Sequence, residues 1–339
     1  MKILLISCLL ILFNTLAFSQ DRLNLESPEL GERVFKQTFY PVVKGKILNY
    51  DPAVNQDIFI KYVMVQPIPG AQETKIAELK EDGSFELTFD NGLPYQQIWF
   101  FIGDRFYCEI LANKDLWIEA DLNLLPKKKL YWYGKGIKFS GTDAAHNIYI
   151  NEYIRFRQLS DKGLSKKKRE ILRGQEVSLE EKINGLEIID KRYKEIQQKY
   201  AKKAGDKYLW ILENESTSDY FADLCKLFRQ KEEAGIAPAI KEKVLNHQAF
   251  FLSNNSFDYY RSLPKILGVK NRADLVEKTK NLSPGKSAVI KLINQPSDID
   301  IRLKYLEQIT PGISGHWAKE WMEQRLFADK EHIRKIEAN

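Results

Sequence analysis

Two short stretches of this 339-residue chain carry the residue types of phosphate and acyl chemistry, but neither has the spacing that chemistry needs. Ser283-Pro-Gly-Lys-Ser287 ends like a phosphate-binding loop, yet the position of the first required glycine is Lys280, and no strand pattern precedes it. Ser283 as a helix cap with Pro284 in the first turn accounts for the same residues. Gly312-Ile-Ser-Gly315 is one residue short of a nucleophile elbow and has no strand leading into Ser314, which reads as another cap. His146, His247, His316 and His332 form no H-E-x-x-H or i, i+4 pair, and no cysteine lies close enough to complete a zinc set. The acid pairs Glu180-Glu181, Glu232-Glu233 and Asp298/Asp300 sit in strongly charged helical stretches, as solvated faces do. No cofactor or metal is expected, and no catalytic residue is assigned.

Binding chemistry has a better candidate. Lys127-Lys-Lys-Leu-Tyr-Trp-Tyr-Gly-Lys135 interleaves bases with aromatics, so Lys129, Tyr131, Trp132, Tyr133 and Lys135 could stack on and pair with a sugar, a peptide or a lipid headgroup, or, in another compartment, single-stranded nucleic acid. The competing reading spends Leu130 and Trp132 on the core and Tyr131 and Tyr133 on the other strand face. His146, at the start of a helix, joins the candidates as a surface or interdomain hydrogen-bonding residue, with a catalytic base as the alternative. Cys108 alternates with Phe106 and Ile110, while Cys225 shares a helix face with Phe221, Leu224 and Phe228. Both read as buried thiols, with a redox role or a bridge as the alternative.

The elements that must carry these residues change character across Gly136 to Asn151. Upstream, apolar residues alternate and turn residues recur about every ten positions. Val42 to Ile47, Ile58 to Val65, Lys75 to Leu79, Ser84 to Phe89, Gln97 to Ile102, Arg105 to Leu111, Leu116 to Ala120, Leu130 to Tyr133 and Ile137 to Ser140 read as strands. Glu81-Asp-Gly83 and Gly103-Asp104 have hairpin-turn composition.

Downstream, the spacing becomes three and four. A first helix is expected over 143–159, capped by Thr142 or Asp143, then a polar linker at Lys166-Lys-Lys-Arg169. A long helix opens on the capping box Ser178-Leu-Glu-Glu181 and runs to about Ala204. Shorter helices follow over 218–234, 238–252, 257–267, 272–282, 284–292, 297–308 and from Ser314 onward.

The fold class is therefore α+β: an N-terminal antiparallel β-sandwich or open barrel, followed by a separate all-α helical domain. The expected divisions are a signal peptide at 1–20, a lead-in segment at 21–36, the sandwich at 37–142 and the helical domain at 143–339.

Lys2, the apolar run Ile3 to Phe13 and small residues up to Gln20 have the three parts of a secretory signal peptide. Leu5-Ile-Ser-Cys8 comes too early in that run for a lipoprotein box. No later run is long and apolar enough to span a membrane, so no transmembrane segment is expected after signal removal. A net charge of +6 spread over mixed-sign segments is not a nucleic-acid footprint.

Val43-Lys-Gly-Lys-Ile47, the Glu81-Asp-Gly-Ser-Phe85 turn, the junction Ile137-Lys-Phe-Ser-Gly141 and Asn147-x-x-Ile-Asn-Glu-Tyr153 follow one another in a distinctive order. With the leader and the helical region, this order resembles the N-terminal part of exported thioredoxin-like thiol-disulfide oxidoreductases of Bacteroidota. In those proteins a β-sandwich domain and a helical spacer precede the thioredoxin domain. The W-C-x-x-C type motif that carries their redox chemistry is absent from these 339 residues, so no catalytic residue carries over. The resemblance implies a periplasmic or cell-envelope location and an accessory, non-enzymatic role with an envelope protein, peptide or glycan as partner. Two enzymatic alternatives stay open: a redox helper using Cys108 or Cys225, and a hydrolase whose residues converge at the domain junction.

Overall fold

The computed structural model describes residues 25–26, 40–66, 71–89, 93–126, 133–161, 163–174, 177–228, 237–294 and 304. Eight strands come first. β1 (Val42–Leu48), β4 (Ser84–Leu87), β7 (Asp115–Asp121) and β8 (Ile137–Ser140) form one sheet in the order β4-β1-β7-β8. β2 (Ile60–Gln66), β3 (Ala71–Ala77), β5 (Gln96–Ile102) and β6 (Phe106–Ala112) form the other in the order β3-β2-β5-β6. Because side chains alternate along a strand, each sheet turns one apolar row inward. Val43, Ile47, Phe85 and Ile118 from one sheet share a core with Tyr62, Ile98, Phe100 and Cys108 from the other. Gly45 belongs to that inward row because a Cβ there would sit 2.4 Å from the ring of Phe85, which stacks on Phe100 at 5.6 Å.

Two details differ within the expected sandwich, for which the sequence predicts antiparallel pairing and a hairpin at Asp82-Gly83. β1 and β7 pair in parallel, with Val43 opposite Leu116 and Ile47 opposite Ala120. A parallel neighbour needs a crossover, and the chain supplies one by building the second sheet between them. The turn at Asp82-Gly83 forms, with Gly83 at φ +80°, but the strands it joins lie in different sheets. It is a corner between layers rather than a hairpin. Gly103, at φ +47°, does close a paired hairpin between β5 and β6.

Eight helices follow among the described residues: α1 (Ala144–Ser160), α2 (Leu164–Arg173), α3 (Leu179–Ala204), α4 (Leu209–Phe228), α5 (Pro238–Asn246), α6 (Asn254–Ile266), α7 (Arg272–Lys278) and α8 (Pro284–Ile293). The capping box at Ser178 and Glu181 is present, and Ser283 caps α8 with Pro284 in its first turn. The basic run at 166–169 is helical, contrary to the linker reading, because Lys168 reaches two carboxylates on α4, at 2.5 Å from Asp219 and 2.6 Å from Asp223. α4 begins nine residues before the expected start at Ser218. Apart from Lys304, the helices expected over 297–308 and from Ser314 lie outside the described residues, as does most of the lead-in segment.

Of that lead-in, Leu25 and Glu26 are described, and both are buried within the helical region. Leu25 donates its N–H to the carbonyl of Ala249 at 3.1 Å. Glu26 accepts from Tyr260 Oη at 2.9 Å and pairs with Lys286 Nζ at 3.3 Å. Gly285 permits this contact, since a Cβ there would fall 2.0 Å from the Glu26 carbonyl oxygen.

The two parts meet where α1 lies along β6. β6 is a sheet edge whose outer N–H and C=O groups need partners. Side chains spaced four apart on α1 supply them to residues spaced two apart on the strand. Asp143 accepts from the N–H groups of Asn113 and Lys114 at 2.7 Å each. Asn147 accepts from Leu111 N–H at 2.8 Å and donates to its carbonyl at 3.0 Å. Asn151 accepts from Glu109 N–H at 3.2 Å and donates to its carbonyl at 2.7 Å. Asp143, expected as a helix cap, makes no side-chain cap bond because its carboxylate is committed to the strand.

Candidate functional site

This edge clamp fixes α1 along β6, and a cleft of about 280 Å³ opens beside it. The strands give the cleft Gln97, Trp99, Tyr107 and Glu109, the alternate residues to those in the sandwich core. α1 adds Ile150, Tyr153, Ile154 and Arg157, one helical face. α3 contributes Tyr193 and Gln197, α4 contributes Glu215, Ser216 and Asp219, and the first residues of α6 contribute Asn254 and Asn255. Both parts of the molecule are needed to build this wall.

Carboxamides hold the two central carboxyls in place. Gln97 donates to Glu109 Oε1 at 2.7 Å while its own oxygen accepts the N–H of Asn254 at 2.7 Å. Glu109 is thereby tied through one side chain to the start of α6. Opposite, Asn255 donates to Glu215 Oε2 at 3.1 Å, and Asn214 to Oε1 at 3.4 Å. Among the described residues neither glutamate has an ion-pair partner within 4 Å. Arg157 lies against the rings of Tyr153 and Tyr193, 5.9 and 5.8 Å from their centroids.

Electrostatics follow from this enclosure. Burial, reinforced by the nearby Glu109, pushes the Glu215 carboxyl up to about 8, so it carries a proton at neutral pH. Burial also raises Glu109 above the ordinary carboxylate range, with the Gln97 hydrogen bond and the Arg157 charge pulling the other way. Asp219 is raised by burial despite Lys168 beside it. The hydroxyl of Tyr153, on a residue 4% exposed, has no hydrogen-bond partner within 3.5 Å, although the Gln197 amide acts on it. A buried polar group left open in this way is uncommon in folded proteins.

The residues singled out from the sequence lie elsewhere. Lys129, Tyr131 and Trp132 fall outside the described residues. Tyr133 is half-buried and packs its ring on Phe139 at 5.1 Å, and Lys135 is exposed in the following turn. Neither lines the cleft. His146 is buried, with Nε2 2.8 Å from the Leu111 carbonyl, so it joins the clamp between the two parts. Burial holds its imidazole below the ordinary value.

The cleft residues gave little warning in the sequence. Gln97 and Glu109 occupy outward strand positions, where a polar residue ordinarily means solvent. Glu215, Ser216 and Asp219 interrupt the apolar spacing of α4 and displaced its expected start.

Two other arrangements have the residue types of catalysis without the access. Ser218 Oγ lies 3.1 Å from His247 Nε2, but Ser218 is fully buried and His247 is wedged between Phe221 and Tyr259. Burial, with Lys286 nearby, depresses His247 to about 3, too low for a base at neutral pH. Cys108 and Cys225 are free and fully buried in separate cores. Desolvation raises the Cys108 thiol well above its ordinary value. No group of side chains able to hold a metal ion occurs among the described residues, and no helix there is long and apolar enough to cross a membrane.

Comparison with protein-family models, curated proteins and solved structures returns no match.

Proposed function

We propose that this chain is an exported cell-envelope binding protein, accessory rather than catalytic, and that the cleft between sandwich and helices receives a small glycan. The observation that carries the reading is the makeup of that cleft. Trp99, Tyr107, Tyr153 and Tyr193 line it with aromatic side chains, and Gln97, Gln197, Asn254 and Asn255 with amide groups. Rings cover the apolar faces of a sugar, and amides can both give and accept hydrogen bonds with its hydroxyls. A cleft of about 280 Å³ is at the small end for ligand sites, room for one or two sugar rings. A peptide binding beside this cleft as an added strand would need the β6 edge, which α1 already occupies. The leader-like N-terminus supports the envelope location.

Titration of the mature chain with soluble mono- and disaccharides of the envelope type, followed by calorimetry, tests the reading. Saturable binding is expected, weakened about tenfold, or about 1.4 kcal/mol, in Asn255→Ala and in Tyr107→Ala. Absence of binding at millimolar sugar, or binding indifferent to both changes, overturns the glycan reading. Recovery of the chain from the cytoplasm with its first 19 residues intact overturns the export reading.

Hydrolysis in the same cleft is the second reading, favoured by one observation: a proton-bearing Glu215 and a second carboxyl, Glu109, face the same space. Such pairing is what glycoside cleavage requires. Turnover of a glycoside that Glu215→Gln abolishes would establish it. Thiol chemistry has no such support, because a raised, enclosed thiol is a poor nucleophile.

A further inference from the structure

Resting on the glycan reading, we infer that the sugar received by this cleft carries a free amino group, whose ammonium sits between Glu109 and Glu215. The two carboxyls come from different elements, one on β6 and one on α4, and their side-chain donors are neutral amides: Gln97 on Glu109, Asn214 and Asn255 on Glu215. Neither has an ion-pair partner within 4 Å among the described residues, although both are largely removed from water. Two such groups in one enclosure repel each other when ionised, and a single cation between them reverses that cost. The buried Tyr153 hydroxyl, without a hydrogen-bond partner on a residue that lines the cleft, is the independent sign that something polar completes this wall.

The charges facing the site come from four elements. β6 brings Glu109 and Tyr107, α1 brings Arg157 and Tyr153, α3 brings Tyr193, and α4 brings Glu215 and Asp219. Asp219 is already matched by Lys168 of α2 at 2.5 Å. Arg157 acts electrostatically on Glu109 and rests on tyrosine rings. What remains unmatched is the pair Glu109 and Glu215. An empty cleft therefore holds a proton on Glu215 near neutral pH, and an arriving ammonium displaces it to solvent. A neutral N-acetylated sugar has no means of doing so.

The experiment compares the β-1,4 disaccharide of glucosamine with its N,N′-diacetylated form. Both are titrated into the mature chain at pH 7 in two buffers of different ionisation enthalpy. The free-amine sugar is expected to bind at least about tenfold more tightly, with release of close to one proton per site. Glu109→Gln and Glu215→Gln should each erase the preference and the proton release, so that the two sugars bind alike. Circular dichroism confirms that both variants fold.

Equal affinity for the two sugars overturns the amine inference and leaves the glycan reading standing. No binding of either sugar overturns both. n-Butylamine binding as tightly as the amino sugar overturns the inference from the other side, by making the cleft an amine site without sugar recognition.

Discussion

Between the two sheets the packed side chains are apolar, from Val43 and Ile118 on one side to Ile98 and Phe106 on the other. The helical region packs as many apolar groups, yet it also buries Glu26, Lys286, Asp223, Lys291 and Ser218. Burying charge is unfavourable unless each ion is paired and its remaining hydrogen-bonding capacity is met. Lys286 meets that condition through Glu26 and the carbonyls of Leu245 and His247, at 2.6 and 2.5 Å. The sandwich is thus held by shape and area, and the helical region partly by particular partners. A scaffold of the first kind tolerates change in proportion to volume, whereas one of the second kind fails when one partner is lost.

The largest expected effects test that contrast directly. Phe100→Ala should cost about 3–5 kcal/mol through the cavity it leaves between the sheets. Lys286→Met, which removes little volume, should cost a similar ~3–5 kcal/mol because Glu26 is left buried without its cation. Pairing it with Glu26→Gln should recover part of the loss, while no polar change elsewhere should rescue Phe100→Ala. Urea unfolding of the four chains measures this. A cost under about 1 kcal/mol for Lys286→Met would show that the buried pair is dispensable and that the two regions are held alike.

A middle-sized effect belongs to the seam. Asn147→Ala leaves both the N–H and the carbonyl of Leu111 without that partner, although His146 still reaches the carbonyl. An orphaned buried backbone group costs about 1–3 kcal/mol, so a loss of ~2 kcal/mol is expected. Hydrogen exchange should report faster opening at Leu111 and along α1, with the far strands β3 and β4 unchanged. Uniform loss of protection over the whole chain would mean that sandwich and helices open as one unit and that the contrast between them is artificial.

The same contrast explains what could be read from the sequence. In the strands, Phe106, Cys108 and Ile110 alternate because only one face meets the core, so local pattern and final burial agree. Ser178 with Glu181, and Ser283 with Pro284, announced their helices because capping is local chemistry. The parallel register of β1 on β7 was hidden, since it depends on where the chain returns after building a second sheet. Lys168 looked like part of a solvated basic run, and only its approach to Asp219 and Asp223, some fifty residues away, makes it structural. The cleft was the least legible part. Gln97, Glu109 and Glu215 are ordinary surface residues in one dimension and become a site only when α1 and α6 close over the sheet.

The smallest expected effect is the one that ties stability to that site. Glu215 titrates near 8 in the folded chain, against 4.5 for an unburdened glutamate, so the folded state holds an extra proton between those values. By linkage, its contribution is complete below about pH 4.5 and is lost as pH rises through about 8. Glu215→Gln cannot ionise and should escape that loss. Because Glu215 is partly open to the cleft, the gain at pH 9 is set at about 1 kcal/mol, or roughly 1–2 °C in Tm for a chain of this size. At pH 5 the two chains should melt together. Phe100→Ala should show the same deficit at both pH values, since nothing it touches titrates there. If Glu215→Gln gains nothing at pH 9, the carboxyl is already ionised in the empty cleft, and the helical wall of the site is no more sensitive to charge than the sandwich core behind it.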